Sequence, residues 1–466
     1  MYNKIVIGAG VSAALCVVGV PLGAQAAERA VSDVAGLRAA IAAAQPGDEI
    51  VLAAGVYRID GDISCSRSGT AASPITVRPA QPGAAKLEFN ATEGFKVSGA
   101  HWIFRDLEIE GVCATDSACE HAFHLFGDAD GVVIAHNKVY NYNAHIKSNG
   151  IGDPRTYPDD VLVLGNEFYS EAPRQTSNPV TPIDVVGGRR WRVEANYIHD
   201  FAKAQGNNIS YAAFLKGNSK DGVFARNLIV CEVLHTGNAR LGLSFGGGGT
   251  SPDSICEDGT CTPEHEGGIM RNNIIANCPS DVGIYLNNAK DVKIFHNTLY
   301  RTTGIDVRFM ASVAELRGNI TDGRIRTRDG GTMVEQGNRT QISAADWGAW
   351  FEGASALDLR LKPGAPPRDA GMTLAQLPDD FCGKPRDARP DEGAVEGDGC
   401  DTARVHPTPM GNPADMGMLD MGEPLDMGGA RDMGQVGEDM PGGVDMAAGQ
   451  DMDDADMAAG EDMSGS

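Results

Sequence analysis

Lys216, Asn287 and Arg308 stand at matching points of three β-prone segments, near the end of each run. If those segments stack as parallel strands, registering them on their apolar pairs puts the three residues in one file on one sheet face. Two cations and an amide in a file can grip a carboxylate. A Lys can also act as a base when nearby positive charge lowers its pKa. Such a set suits removal of the weakly acidic proton α to a carboxylate, with cationic groups holding the developing dianion while a β-oxygen leaves. A Lys or Arg on a sheet face is ordinarily just solvated, so position alone does not make the file a site. Asp184, one coil before Lys216, is the candidate metal ligand, against the plain reading of a solvated edge residue. His235 is a candidate acid or base, against that of a hydrogen-bonded loop histidine. In Glu264-His265-Glu266, neighbours on a strand point to opposite faces, so the three cannot all reach one ion. Phe245-Gly246-Gly247-Gly248-Gly249-Thr250 is no phosphate loop, because neither G-K-[ST] nor a helical pattern follows. Four glycines after a strand predict a wide turn or backbone laid open at a groove, walled by the loop from Ser251 to Glu266.

The elements that must position these residues repeat. "VVIAHNKVY", "VLVLGNEFY", "WRVEANYIH", "GVFARNLIV", "GIMRNNIIA", "VKIFHNTLY" and "AELRGNITD" share a β-prone run, an Asn and an apolar pair. The asparagines are Asn137, Asn166, Asn196, Asn227, Asn272, Asn297 and Asn319, spaced by 29, 30, 31, 45, 25 and 22. Self-similarity of this kind marks a solenoid, whose coils bury apolar side chains against their neighbours. The runs are short, rich in Val, Ile, Phe and Tyr, and alternate with period two, which argues for strands. Asn recurring at one corner predicts a hydrogen-bonded ladder and tolerates a left-handed turn. The expected fold is therefore all-β, a right-handed parallel β-helix like that of the pectate-lyase-like solenoids.

Before the repeat, Val31 to Ala44 reads as an amphipathic helix with Val34, Leu37, Ile41 and Ala44 on one face, an N-terminal cap for the open coil. The first 26 residues combine one positive charge, an apolar run and Ala24-Gln25-Ala26, the pattern of a signal peptide. The expected mature domain spans 27–400, exported to the extracellular space, the cell surface or the periplasm, with no membrane span and as a monomer. From Asp401 to Ser466 there are 15 acidic and 2 basic residues, and from His406 onward nine Asp-Met dipeptides. This tail, 401–466, cannot bury a core and is expected to be disordered. The preceding 400 residues hold 48 acids against 37 bases, which does not suit a nucleic-acid partner. Cys113/Cys119, Cys256/Cys261 and Cys382/Cys400 are local pairs that suit disulfides in an exported chain. Cys231 and Cys278 form a further candidate pair, with Cys65 left single; spacing does not settle the pairing, and metal binding is the rival reading.

Residues 37–111 carry a more specific likeness. Pro46-Gly47-Asp48-Glu49-Ile50, Gly69-Thr70 with Pro74-Ile75-Thr76-Val77, and Phe104-Arg105-Asp106-Leu107 resemble the opening of the chondroitinase-B-like lyases, polysaccharide lyase family six. The resemblance implies a secreted β-helix acting on an anionic polysaccharide, with Lys216 as base and Arg240, 24 residues later, as its partner. Aligning on Phe245 instead puts Gly246 where that Arg belongs. The resemblance also implies Ca2+, yet the E-x-E pair that would hold it is absent: Tyr211 and Ile209 stand at those positions.

The function expected from the sequence is β-elimination of a uronate-containing polymer, with Lys216, Arg240 and Arg308 as the catalytic candidates. The alternative is a non-catalytic extracellular β-helix that binds glycan or presents loops as a surface module. An inverting glycosidase needs two or three carboxylates about the scissile bond, and no paired-aspartate and G-H-G arrangement is present.

Overall fold

The structure is a computed structural model and describes residues 27–402, residue 398 excepted. The expected signal peptide, 1–26, and the Asp-Met tail beyond residue 402 lie outside the described residues.

The chain is a right-handed parallel β-helix. Short strands recur coil after coil and stack into three parallel sheets of 12, 10 and 10 strands. At about 4.8 Å per step, eleven steps make a rod roughly 50 Å long. Alternation directs one set of side chains inward: Leu215, Phe245, Leu286 and Val307 are stacked, fully buried rungs of the second sheet. In the N-terminal coils, Phe95 lies 5.4 Å from Phe123 with nearly parallel rings, and Phe104 packs on both.

At the corner between the first and third sheets runs the asparagine ladder. Each side-chain oxygen accepts from the amide of the Asn one coil earlier, at 2.9–3.1 Å, through Asn137, Asn166, Asn196, Asn227, Asn273, Asn297, Asn319 and Asn338. The sequence register errs at one rung: Asn273 occupies the ladder, whereas Asn272 turns away and bonds Asp379. The left-handed residue is also not the ladder Asn but its predecessor, as at His136, Ala195, Arg226, Asn272 and His296. Asn272 is thus the turn residue, and its neighbour takes the rung.

The N-terminal helix covers Val34–Ala42, with the Asp33 side chain accepting from Gly36 N at 2.7 Å and Leu37, Ala40 and Ile41 buried. It is shorter than the periodicity predicts because Glu28–Val31 is a strand paired with Glu49–Leu52. Four disulfides join Cys113–Cys119, Cys231–Cys278, Cys256–Cys261 and Cys382–Cys400, and Cys65 is free and buried. The C-terminal segment packs Trp347, Phe351 and Phe381 on Tyr197, Leu228, Ile274 and Ile320, along the outward face of the third sheet. Among the described residues no helix is long and apolar enough to cross a membrane.

Candidate functional site

The parallel register confirms one file on the outward face of the second sheet. Val186 lies beside Lys216, Asn287 beside Arg308, and Arg308 beside Arg328. Phe245 pairs with both Leu215 and Leu286, so Gly246 stands between Lys216 and Asn287. Lys216 and Arg308 are therefore three rungs apart, about 14 Å along the axis. Gly246 has φ +96°, and a Cβ there would lie 1.9 Å from the carbonyl oxygen of Asn287. Only glycine lets the chain leave the strand here and fold over the file.

That loop gathers the polar groups. Lys216 Nζ donates to the Gly249 carbonyl at 3.0 Å and lies 4.9 Å from the centre of the Phe214 ring. Asn287 Nδ2 donates to the Gly247 carbonyl at 3.1 Å. Glu264 closes the loop's far side, accepting from Gly217 N at 2.7 Å and from Thr250 N and Thr250 Oγ1 at 2.6 Å each. Burial raises the pKa of Glu264, against the pull of those hydrogen bonds and of the Lys216 charge. Arg308 pairs with Asp329 and hydrogen-bonds Tyr285. Tyr285, Tyr211, Phe214, Leu241 and Val282 form a small apolar cluster on this outward face.

Arg240 is not part of the file. It begins its strand, opposite Ser210, and is 1% exposed. Its guanidinium pairs with Glu232 and donates to the Cys231 carbonyl at 2.8 Å and the Gly237 carbonyl at 3.3 Å, clipping the 231–239 loop. The rung beside Lys216 holds Gly246 instead. His235 belongs to the same loop and bonds the Ser170 carbonyl. His265 is buried, stacked 4.0 Å from Phe245 and bonded to Ser219, a core role.

The residues also speak to calcium. Ile209 and Tyr211 pack into the apolar cluster where the implied carboxylate pair would be, a surface that offers no anionic oxygen to a hard cation. Asp184 receives the Lys147 ammonium at 3.1 Å, so a cation already sits on its carboxylate. Among the described residues no group of three or more His, Cys, Asp or Glu is arranged to hold a metal. Among the described residues, the positions that the resemblance gives to calcium ligands supply none.

Sequence reading named Asp184 but missed the group on this face to which it belongs. Lys96, His124, Lys147 and Asp184 are successive rungs of the neighbouring file. Lys96, Lys147 and Asp184 border a cleft of about 670 Å³ that is also lined by Glu93 and His121. His124 bonds Glu93 at 2.6 Å and Asn149 at 2.7 Å, and Lys96 meets Glu93 at 2.8 Å. Burial would raise the Glu93 carboxyl, but His124 and Lys96 hold it down to about 2. Burial pushes His121 down to about 3. Registering the earlier coils in the way that aligned Lys216 with Arg308 would have exposed this file.

Three sheets, an internal ladder and a polar outward face define the class, a parallel β-helix protein with a lateral groove. Comparison with known proteins places the N-terminal coils more narrowly: residues 31–147 match the family model of Chondroitinase B. Pectate lyase L of Dickeya chrysanthemi is 36% identical over 85 residues, 15% of this chain and 20% of that protein's length. The chain thus matches about a fifth of this curated relative. An alginate lyase from Paenibacillus sp. str. FPU-7 is similar in structure, with 19% identity and a TM-score of 0.40, over 68% of this chain and 96% of that one. For pectate lyase Pel9A the values are 16%, 0.44, 77% and 90%.

Proposed function

We propose that this is an exported polysaccharide lyase that cleaves a uronate-containing polymer by β-elimination without calcium. The observation that carries the reading is the single outward file of Lys216, Asn287 and Arg308 beside a glycine-built loop. The lyase relatives and the chondroitinase B match of the first coils support the substrate class, and four disulfides suit a chain exported from the cytoplasm.

Asn287 and Arg308, on adjacent rungs, hold the uronate carboxylate, and Lys216 in its neutral form takes the α-proton. The C–H pair becomes the new double bond, the C–O bond to the next sugar breaks, and the departing oxygen takes a proton. Arg308 and Asn287 stabilise the dianion that develops between these events. Tyr285, held by Arg308, is the hydroxyl that serves as that proton donor.

The test is ultraviolet absorbance of the unsaturated uronate, with alginate, pectate and glycosaminoglycans as substrates, in chelator and in added calcium. Signal on one polymer that survives the chelator and is lost in Lys216→Ala is the expected result. A second reading, a glycan-binding module, draws on Lys216 being engaged by Gly249 and Arg308 by Asp329. It wins if no polymer gives signal while binding persists in Lys216→Ala.

A further inference from the structure

Lys216 is fastened at both ends through one carboxylate. Its Nζ donates to the Gly249 carbonyl at 3.0 Å. Gly249 is joined by its peptide bond to Thr250, whose N–H and hydroxyl each donate to Glu264 at 2.6 Å. The same carboxylate accepts from the N–H of Gly217 at 2.7 Å, and Gly217 follows Lys216 directly in the chain. Side-chain tip, loop, carboxylate and backbone therefore close into a ring around the lysine.

The loop in that ring needs outside support. Gly246, Gly247 and Gly249 all have positive φ, at +96°, +51° and +85°, and glycine has the most conformational freedom to lose. The first half of the loop is tied to the sheet, through Gly246 N to the Leu215 carbonyl at 2.8 Å and Gly247 N to Ser244 Oγ at 3.0 Å. At the second half, Thr250 is tied to Glu264 by both of its donors. A Cβ on Gly249 would lie 3.8 Å from Glu264 Oε1 and 3.9 Å from Asn287 Nδ2. The carboxylate and the outward file thus lie on two sides of one glycine.

A carboxylate is not the obvious group for closing a loop. Glu264 is 3% exposed, and a buried carboxylate gives up its hydration. It offers in return two oxygens that only accept, set against three donors. The wall behind it has fastenings of its own. These are the Cys256–Cys261 disulfide, Asn218 Nδ2 to the Pro263 carbonyl at 2.7 Å, and Asp258 N to Asn218 Oδ1 at 3.0 Å. What Glu264 adds to them is the place of Gly249, and with it the place of the Lys216 tip.

We propose that Glu264 is a positioning residue that sets Lys216 for proton abstraction, acting through Thr250 and Gly249, a role that rests on the lyase reading of the Lys216 file. In the neutral amine, the Gly249 carbonyl takes one N–H and so fixes where the lone pair points. Arg308 and Asn287 hold the substrate carboxylate, and Glu264 touches none of the reacting atoms. A shift of about 1 Å in a reacting group can lower a rate by about 10²-fold, so the ring matters to turnover more than to binding.

Three full-length variants test the ring: Glu264→Gln, Thr250→Val and Thr250→Ser, each assayed on the polymer that the natural chain cleaves, with kcat and KM separated. Gln sets an N–H against a donor. Val keeps the shape of Thr without its hydroxyl, and Ser keeps the hydroxyl. The expected kcat is lower by about 10²-fold in Glu264→Gln and by about tenfold in Thr250→Val. KM is expected to stay within about twofold in both, and Thr250→Ser to match the natural chain. Amide exchange at residues 247–250 is expected to quicken in the two impaired variants, while the strand Ser210–Lys216 stays protected as the control for folding. Undiminished kcat in a variant whose loop exchanges faster overturns the proposal, since the ring would then hold the loop alone. A raised KM with kcat kept also overturns it and makes Glu264 part of the wall that binds the polymer. Both outcomes leave the lyase reading standing, whereas a natural chain that cleaves no polymer removes that reading and this role with it. Where Glu264→Gln fails to fold, the contrast between Thr250→Val and Thr250→Ser still decides.

Discussion

The corner that carries the asparagine ladder and the outward face of the second sheet belong to the same coils, yet they are built on opposite rules. At the corner every rung repeats one residue, and each amide is satisfied by the next, from Asn137 to Asn338. On the outward face, the file beside Lys216 reads Lys96, His124, Lys147, Asp184, Phe214, Ser244, Tyr285, Asp306 and Arg326, and no two adjacent rungs carry the same residue. A ladder gains from identity because each rung donates what the next accepts. A groove gains from difference because base, carboxylate grip and wall must be distinct groups. On the proposed reading, stability and chemistry are divided between two sides of one coil.

The sharpest way to break that division is to remove one residue from the groove. Lys216→Ala is expected to lower lyase turnover by about 10²–10⁴-fold, the usual contribution of a positioned base, while the thermal unfolding midpoint stays put. A parallel loss of stability would mean that Lys216 holds the Gly249 loop and does no chemistry.

Arg240 gives the reverse expectation. Its guanidinium is buried among Glu232 and the Cys231 and Gly237 carbonyls. Arg240→Leu leaves those groups unpaired and is expected to cost about 2–4 kcal/mol in denaturant unfolding. Whatever activity remains is expected to show an unchanged KM. A large selective loss of turnover in the folded variant would return Arg240 to the catalytic set.

Two adjacent asparagines sharpen the comparison at the corner. Asn273 accepts from Asn227 and donates to Asn297 and to the Phe224 carbonyl, all buried. Asn273→Ala is expected to cost about 2–3 kcal/mol, since three groups lose partners at once. Asn272 bridges to the C-terminal segment through part-buried bonds to Asp379 and from Arg386, and Asn272→Ala is expected to cost about 1–2 kcal/mol. Equal costs would place both in the ladder.

These pairs also show what a reader of the sequence can and cannot see. The ladder was legible because it repeats, and it slipped by one residue at Asn272 because "RNNII" offers two asparagines and no spacing rule chooses between them. The Lys216–Arg308 alignment was legible for the same reason: apolar pairs set the register, and outward positions follow from period two. Arg240 misled because sequence distance from Lys216 says nothing about which end of a strand a residue occupies. Glu264 was hidden because it reaches Gly217 and Thr250 across a loop, and loops carry no period. The cleft around Lys96, Lys147 and Glu93 lay in register all along, but its residues resemble no motif.

The last expected effect concerns the segment that covers the third sheet. Glu396 is 7% exposed and takes the Arg386 guanidinium and the Asp391 N–H. Burial pushes its carboxyl up to about 7, with Asp391 adding to the rise and Arg386 opposing it. The unfolded chain would titrate near the ordinary value of 4.5, so folding favours the protonated form. That contribution is full below about pH 4.5 and is lost as the pH rises through about 7. Asp391 and Glu392 are raised by burial in the same direction, so Glu396 accounts for only part of the slope. Stability of the segment is expected to fall by about 2–3 kcal/mol between roughly pH 5 and pH 8. Glu396→Gln is expected to flatten that dependence, read as amide exchange at residues 377–396 across the range. A slope unchanged in Glu396→Gln, or one of opposite sign, would show that Arg386 keeps the carboxylate ionised throughout.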